Sequence, residues 1–391
     1  MHSKKLFFST AVLCVSVSLL LVGCVCASSG MWSRTYGGAS DDSAEAVVQT
    51  SDGGYALAGY TQSFGAGSYD FWLIKTNKYG EIEWNQTYGR TGLDRAYALV
   101  ETSDGGYALA GDTSFGASLV KTDVYGNMEW NKTYSGLQAY ALIETADGGF
   151  ALAGYTRTIG MGDMPHWDFW LMKTDVDGNM EWERAFGRIN GSTTGERAYA
   201  LVETSDGGYA LAGYTSVFSP ETGITGGALL VKTDSFGNVE WNQTYSGWRA
   251  FALVQASDGG YVLSGTGPLV KTDMYGNVEW NQTVGGLVNS LVATSDGGYA
   301  LAGNGPLVKT DEYGNMLWNQ TVGGLVNSLV ATSDGGYALA GALNGDFWLA
   351  KADEQGVIPE FPSWSPVLVG VVALVSMMVV YRKKLNKKSQ R

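Results

Sequence analysis

Three counts predict an all-β fold that closes on itself. The motif Ser-Asp-Gly-Gly-Tyr-Ala-Leu-Ala-Gly recurs seven times with small changes, starting at Ser51, Ser103, Ala146, Ser205, Ser257, Ser295 and Ser333. A strand ending in lysine recurs seven times, at Lys75, Lys121, Lys173, Lys232, Lys271, Lys309 and Lys351. A tryptophan strand also recurs seven times, at Trp32, Trp84, Trp130, Trp182, Trp241, Trp280 and Trp318. The two series are out of step. The body opens on a tryptophan strand and ends on a lysine strand with no tryptophan strand after it. A unit of roughly 40 to 60 residues repeated in this way marks a radial or stacked architecture. The offset favours the radial one, because the strand around Trp32 then completes the last unit and no sheet edge stays open. The prediction is a seven-bladed β-propeller of four-stranded antiparallel blades over residues 31–357. A linear β-solenoid, which needs no offset, is the alternative.

Each unit carries four short strands, rich in β-branched and aromatic residues and separated by turn chemistry. They are exemplified by Ala96 to Thr102, Gly106 to Gly111, Asp70 to Lys75 and Met128 to Tyr134. Asp-Gly-Gly between the first two strands is a hairpin signal, because glycine takes positive φ at no steric cost. Tight turns such as Asp123-Val124-Tyr125-Gly126-Asn127 join the third strand to the fourth. Alanine and glycine on one face of the second strand admit a neighbouring sheet, while tyrosine and leucine on the other fill the opposite gap, as packing on both faces of a blade requires. No amphipathic helix stands out in the body. A closed ring has no edge left to pair, so a monomer is expected.

The unit resembles the seven-bladed propeller repeats of secreted prokaryotic surface proteins, on the residues Thr-Tyr-Gly-Gly, Ser-Asp-Gly-Gly-Tyr and Asp-Phe-Trp. The stretch from Asp123 to Trp130 also resembles the tryptophan-docking motif of quinoprotein propellers. It is one residue shorter between Asp and Gly. The resemblance implies that Trp packs across to the next blade; it implies no quinone. It speaks for fold more than for function. Trp280 to Gly303 is identical to Trp318 to Gly341, so the ring grew by duplication.

The two ends carry addressing signals. Lys4 and Lys5 precede an apolar stretch from Leu6 to Val25, and small residues follow at Ala27 and Ser28, which reads as a secretory signal over 1–27. Leu21-Val22-Gly23-Cys24 resembles a lipobox, so lipidation of Cys24 is an alternative to ordinary cleavage. All three cysteines lie in this segment, which leaves the body without a disulfide, a thiolate ligand or a catalytic thiol. At the other end, a linker over 358–366 holds Pro359-Glu360-Phe361-Pro362. An apolar run over 367–381 reads as a membrane helix, and the basic stretch 382–391 as its cytoplasmic tail. In that order the three parts resemble the archaeal PEF-type sorting signal, which implies cutting near the box and display at the cell surface. A plain C-terminal anchor gives the same topology.

Setting aside Lys4, Lys5 and the six basic residues from Arg382 onward leaves 17 of the 25 Lys and Arg against 38 Asp and Glu, a net charge near −21. So acidic a body argues against nucleic acid and anionic membrane as partners.

Comparison of the repeats separates scaffold from variation. The Asp-Gly-Gly and Tyr-Gly-Asn turns share one face of the ring and barely change. Loops on the opposite face, from second to third strand and from fourth strand to the next first strand, vary widely. Loops on a rigid scaffold carry binding more often than the scaffold does. One position at the mouth of the central channel reads Ser43, Arg95, Gln138, Arg197, Arg249, Leu287 and Leu325 around the ring. The arc Arg95, Gln138, Arg197 and Arg249 suits an anionic group or a sugar acid. The competing reading is local neutralisation, in which Asp94-Arg95 and Glu196-Arg197 neutralise each other or nearby loops. The seven lysines read as partners of scaffold aspartates rather than as a polyanion site.

His166, the only histidine of the body, forms with Trp167 a candidate exposed ligand contact in the long loop of the third blade; loop packing is the alternative. One histidine and no cysteine make an all-protein zinc site improbable, and no nucleophile motif accompanies His166, so no metal or catalytic residue is assigned. Asp41, Asp42, Asp94 and Glu196 are acids on the variable face, and paired carboxylates of that kind serve glycosidases or bind Ca²⁺. No cofactor is otherwise implied. Six sequons stand at Asn85, Asn131, Asn190, Asn242, Asn281 and Asn319, five of them just after the repeat tryptophan. If that Trp points inward, the Asn beside it points out, and glycosylation at the rim follows. The sequence thus describes a cell-surface, membrane-anchored propeller acting as a non-enzymatic binding or structural module, with a glycan or a surface protein as its ligand. A carbohydrate-active or quinone-type enzyme is the alternative.

Overall fold

The computed structural model describes residues 31–159, 165–187, 195–219 and 223–358. The signal segment, the sorting box, the apolar run, the basic tail and Asn190 lie outside the described residues. Among the described residues, twenty-eight strands form seven four-stranded antiparallel sheets. Six sheets are consecutive in the chain. The seventh joins Leu325–Ala331, Tyr337–Leu343 and Asp346–Ala352 to the N-terminal strand Trp32–Tyr36, with Trp32 opposite Lys351 and Tyr36 opposite Phe347. The propeller and its closure by the first strand are as the offset predicted.

The Asp-Gly-Gly turns show why both glycines are needed. Gly105 sits at φ +84°, in the left-handed region, and a Cβ on Gly106 would strike the carbonyl of Thr122 on the third strand. The turn is closed by Asp104, whose carboxylate accepts the Thr102 hydroxyl (2.6 Å) and the Gly106 N–H (2.9 Å). The core lies between blades. Ala56 and Ala58 of the first blade face Tyr107 and Leu109 of the second, all of them buried. Fully burying a leucine or aromatic side chain contributes roughly 1.5–3 kcal/mol, and the arrangement recurs around the ring.

A second device locks each blade to the next. The repeat tryptophan covers the turn glycine of the following blade: a Cβ on Gly126 would come within 2.5 Å of Trp84, and the same holds in kind from Trp32 over Gly80 to Trp318 over Gly356. The tyrosine further along the same strand donates to that glycine's carbonyl, as Tyr88 does to Gly126 (2.7 Å) and Tyr134 to Gly178 (2.8 Å). This is the packing role that the tryptophan-docking resemblance implied.

The lysines are scaffold, as expected. Each is buried, and its ammonium meets the turn aspartate: Lys121 lies 2.7 Å from Asp104 and 3.1 Å from Glu129. In each of the first five blades a glutamate before the tryptophan supplies the second carboxylate. Leu317 takes that place in the sixth blade and Met31 in the seventh, where Lys309 and Lys351 pair with Asp296 and Asp334.

Candidate functional site

The innermost strands face one another around the axis, and each contains a register shift two residues after the variable mouth position. In the second blade the ladder jumps from Ala96 to Ala98 and leaves Tyr97 unpaired. The residues bulged in this way are Glu45, Tyr97, Tyr140, Tyr199, Phe251, Asn289 and Asn327. A bulge re-aims one side chain at the cost of one ladder pairing. Here it builds an aromatic arc along blades two to five. Tyr97 meets Tyr140 at 5.2 Å between centroids, Tyr140 meets Tyr199 at 4.9 Å, and Tyr199 meets Phe251 at 5.1 Å. On the remaining blades the bulged residues are polar and serve the scaffold. Asn289 donates to the carbonyl of Val326 (2.9 Å) and Asn327 to that of Ala44 (3.0 Å).

Glu45 closes the arc on the other side. Burial pushes its carboxyl up to about 7, against the opposing pull of the Ser43 hydroxyl and the Arg95 charge. These seven positions escaped the sequence reading. Their signal was present: they vary between repeats while their neighbours stay small, as in Ala44-Glu45-Ala46 and Ala250-Phe251-Ala252.

The mouth residues sit one layer above. Those of blades two to five reach back to the second strand of the preceding blade. The Arg95 guanidinium lies over Tyr69 (5.0 Å) and Tyr60 (5.9 Å), Arg197 over Tyr155 (4.7 Å) and Trp167 (5.8 Å), and Arg249 over Tyr214 (4.6 Å). Gln138 instead donates to the Asp112 carboxylate (2.9 Å) and accepts from the Tyr140 hydroxyl. Burial raises the Asp112 pKa, and Gln138 and Arg95 work against that rise.

The direct pairs Asp94–Arg95 and Glu196–Arg197 are not formed, although the Arg95 charge does act on the buried Asp112 carboxylate of its own blade. Arg95 rests on rings, while Asp94 is buried and accepts the N–H of Arg90 (2.8 Å). Arg197 also rests on rings, while Glu196 accepts the Thr215 hydroxyl (2.6 Å). Nε of Arg95 and Nε of Arg197 are buried without an acceptor, and Arg197 also bonds to the Tyr199 hydroxyl.

The other candidates fall out as follows. His166 is not exposed. It is 4 % accessible, in the strand Pro165–Thr174 opposite Thr158, so the proposed His–Trp pair reduces to Trp167, which is 43 % accessible. Strand alternation explains the split, since adjacent residues face opposite sides. Asp42 is buried and holds its loop by accepting from Thr61, from Ser63 and from the N–H of Gly38; Asp41 is exposed. Among the described residues no three His, Cys, Asp or Glu side chains are grouped to hold a metal ion. Asn85, Asn131, Asn242, Asn281 and Asn319 are all exposed on fourth strands.

No family model matches the sequence, and no curated protein matches it. Similar solved structures exist. The WD40 propeller domain of Doa1 superposes with a TM-score of 0.55 at 11% identity, over 81% of this chain and 94% of that one. Sqt1 from Chaetomium thermophilum gives 0.53 at 13% identity, over 85% and 87%. The structure of Chaetomium thermophilum Sqt1 bound to the N-terminus of ribosomal protein L10 gives 0.52 at 11% identity, over 81% and 98%. At such identities the likeness shows the propeller fold.

Proposed function

We propose that the chain is an exported, membrane-anchored binding module without catalytic activity, which takes a glycan or a protein ligand at the channel mouth over blades two to five. One observation carries the reading. The scaffold face repeats the same ion pairs and turns from blade to blade, whereas the opposite mouth holds arginines stacked on aromatic rings on blades two, four and five, a glutamine on blade three and leucines on blades six and seven. Rigid aromatic and arginine side chains on a fixed frame are the residues that dominate binding energetics. Of the acids eligible for glycoside cleavage, Asp42, Asp94 and Glu196 are buried and hold loops and Asp41 alone is exposed, so the four present no exposed pair, which supports binding rather than chemistry. Sqt1, a propeller of the same fold, is seen with a protein N-terminus bound. Export and anchoring rest on the terminal segments, and rim glycosylation on the five exposed asparagines.

The test uses the full-length chain in a glycan-array and pull-down screen. Any hit is repeated with Arg95→Ala/Arg197→Ala/Arg249→Ala and with a scaffold-face variant, Tyr125→Ala. Loss with the first and retention with the second is expected. The opposite pattern sinks the proposal.

A further inference from the structure

The two faces of this acidic body differ in the sign of charge they show to solvent. On the scaffold face each buried lysine is matched by one or two carboxylates that remain about half exposed, such as Asp104 at 57% and Glu129 at 46%. That face is left negative. On the variable face the acids are withdrawn. Asp42, Asp70, Asp94, Asp112, Asp168 and Glu196 are all buried, and most are consumed by loop hydrogen bonds: Asp70 accepts the N–H groups of Ala66 (2.8 Å) and Gly67 (2.9 Å), and Asp168 accepts from Thr158. Among the described residues Asp41 is exposed and Asp346 is half-buried. The cations of the same face stay accessible. Arg90, Arg157 and Arg249 are exposed, and Arg95 and Arg197 are half-buried. Large apolar side chains stand among them: Leu93 is 40 % accessible, Phe115 74 %, Leu137 36 % and Trp167 43 %.

We infer that the channel mouth of the variable face recognises an acidic polypeptide segment that also carries apolar side chains. This rests on the binding reading above and narrows it. The arginines supply the anion preference. A guanidinium already stacked on a ring loses less freedom on pairing with a carboxylate than a free side chain does, and charge-assisted hydrogen bonds are roughly twice as strong as neutral ones. The leucines and Phe115 supply the preference for polypeptide over acidic glycan. They sit beside the mouth residues (Leu93 two positions before Arg95, Leu137 next to Gln138) and gain from burial against apolar side chains, which a sugar acid does not offer. An interface core rich in Trp, Tyr and Arg and poor in lysine and exposed acid is the composition of a protein-binding surface. The negative charge elsewhere on the body repels the same ligand, which confines it to this one face.

Phage-displayed random dodecapeptides selected on the purified full-length chain test the inference, with polygalacturonate as the acidic-glycan probe. Enrichment of peptides rich in Asp or Glu together with Leu, Phe or Trp is expected. Their affinity should fall at least tenfold with Arg95→Ala/Arg197→Ala/Arg249→Ala and again with Leu137→Glu, and should weaken as salt is raised. Unchanged thermal melting of each variant shows that the fold is kept. Neutral or basic peptides that still depend on Leu137 or Trp167 would overturn the inference and leave the binding face standing. Binding of polygalacturonate at the arginines with no peptide enriched overturns it in favour of a glycan. Ligands indifferent to every variable-face substitution overturn both readings.

Discussion

Trp32 covers Gly80. The indole of the N-terminal strand lies on the turn glycine of the first blade, and its Nε1 donates to the carbonyl of Lys78 (3.1 Å), so the strand that completes the seventh blade also fastens that blade to the first. Tyr36 adds a bond from its hydroxyl to the Gly80 carbonyl (2.7 Å). Removing a packed tryptophan leaves a void that neighbours fill only in part. Trp32→Ala should cost about 3 kcal/mol in urea unfolding. Gly80→Ala should cost about 2 kcal/mol, because Gly80 combines φ +71° with no room for a Cβ. If closure by this strand holds the ring, Trp32→Ala unfolds at lower urea than the wild type. An unchanged midpoint would refute it.

The lysine sites predict an asymmetry. Lys121→Met leaves two carboxylates that water can reach, and about 1 kcal/mol should be lost. Asp104→Ala with Glu129→Ala leaves a buried ammonium holding only the Thr122 carbonyl (2.9 Å), and about 3 kcal/mol should be lost. Equal losses in denaturant titrations would refute the asymmetry.

Blade six offers the converse. Leu317 is 57 % accessible where earlier blades carry the second glutamate. Leu317→Glu should pair with Lys309 and raise stability by up to about 1 kcal/mol, the range for a partly exposed ion pair. The increment should shrink in high salt, and a gain indifferent to salt would mean some other cause.

Glu45 sets a pH dependence of its own. Its folded pKa, raised to about 7 from an ordinary 4.5, means that the folded state holds the proton more tightly than the unfolded one. Its contribution is complete below about pH 4.5 and is lost as pH rises through about 7. Glu45→Gln should flatten the stability profile across that window, read by urea midpoints at successive pH values. Profiles that run parallel in the two proteins would exclude the assignment.

The turn aspartates act in the opposite sense. For Asp104, burial pushes the pKa up, but Lys121, the Thr102 hydroxyl and the Gly106 N–H outweigh it and hold the carboxyl at about 2. Asp52, Asp147, Asp206 and Asp296 are held at about 2 as well. A lowered carboxyl pKa gives stability that is present above about pH 4 and lost as pH falls toward 2. Acid unfolding should therefore be steep between pH 4 and 2, and Asp104→Asn should make it shallower. Circular dichroism at graded pH would detect the failure of either.

The blade arithmetic was legible because scaffold residues recur. Seven lysines, seven tryptophans and seven Asp-Gly-Gly turns must each do the same job, and counting them revealed the ring, its closure and the pairing of the lysines with scaffold aspartates, though not which aspartate or the added glutamate. The mouth position was legible too, at Arg95, Gln138, Arg197 and Arg249. Their partners were not, because each lies in the preceding blade and alignment compares like positions only. The rule becomes plain with the geometry: arginine follows Tyr60, Tyr155 and Tyr214, and glutamine follows Asp112. The bulge residues were hidden for another reason. Alternation in Ala96-Tyr97-Ala98 reads as a regular strand, and only the partner strand's register shows that Tyr97 is an extra residue. His166 was misplaced because the loop reading ended three residues too late: the strand begins at Pro165.

The pairing of Arg95, Gln138, Arg197 and Arg249 with the blade before each has a hereditary consequence. The unit that is copied in the gene and the unit that meets a ligand are cut at different places. A duplicated blade brings a complete turn, a complete lysine cluster and a complete tryptophan, but only one half of two mouth pairs. Blades six and seven, still identical from Trp280 to Gly303 and from Trp318 to Gly341, show the outcome, for they enlarge the ring while adding Leu287 and Leu325 instead of another stacked arginine. In this architecture size is inherited blade by blade, whereas recognition has to be reinvented at every junction.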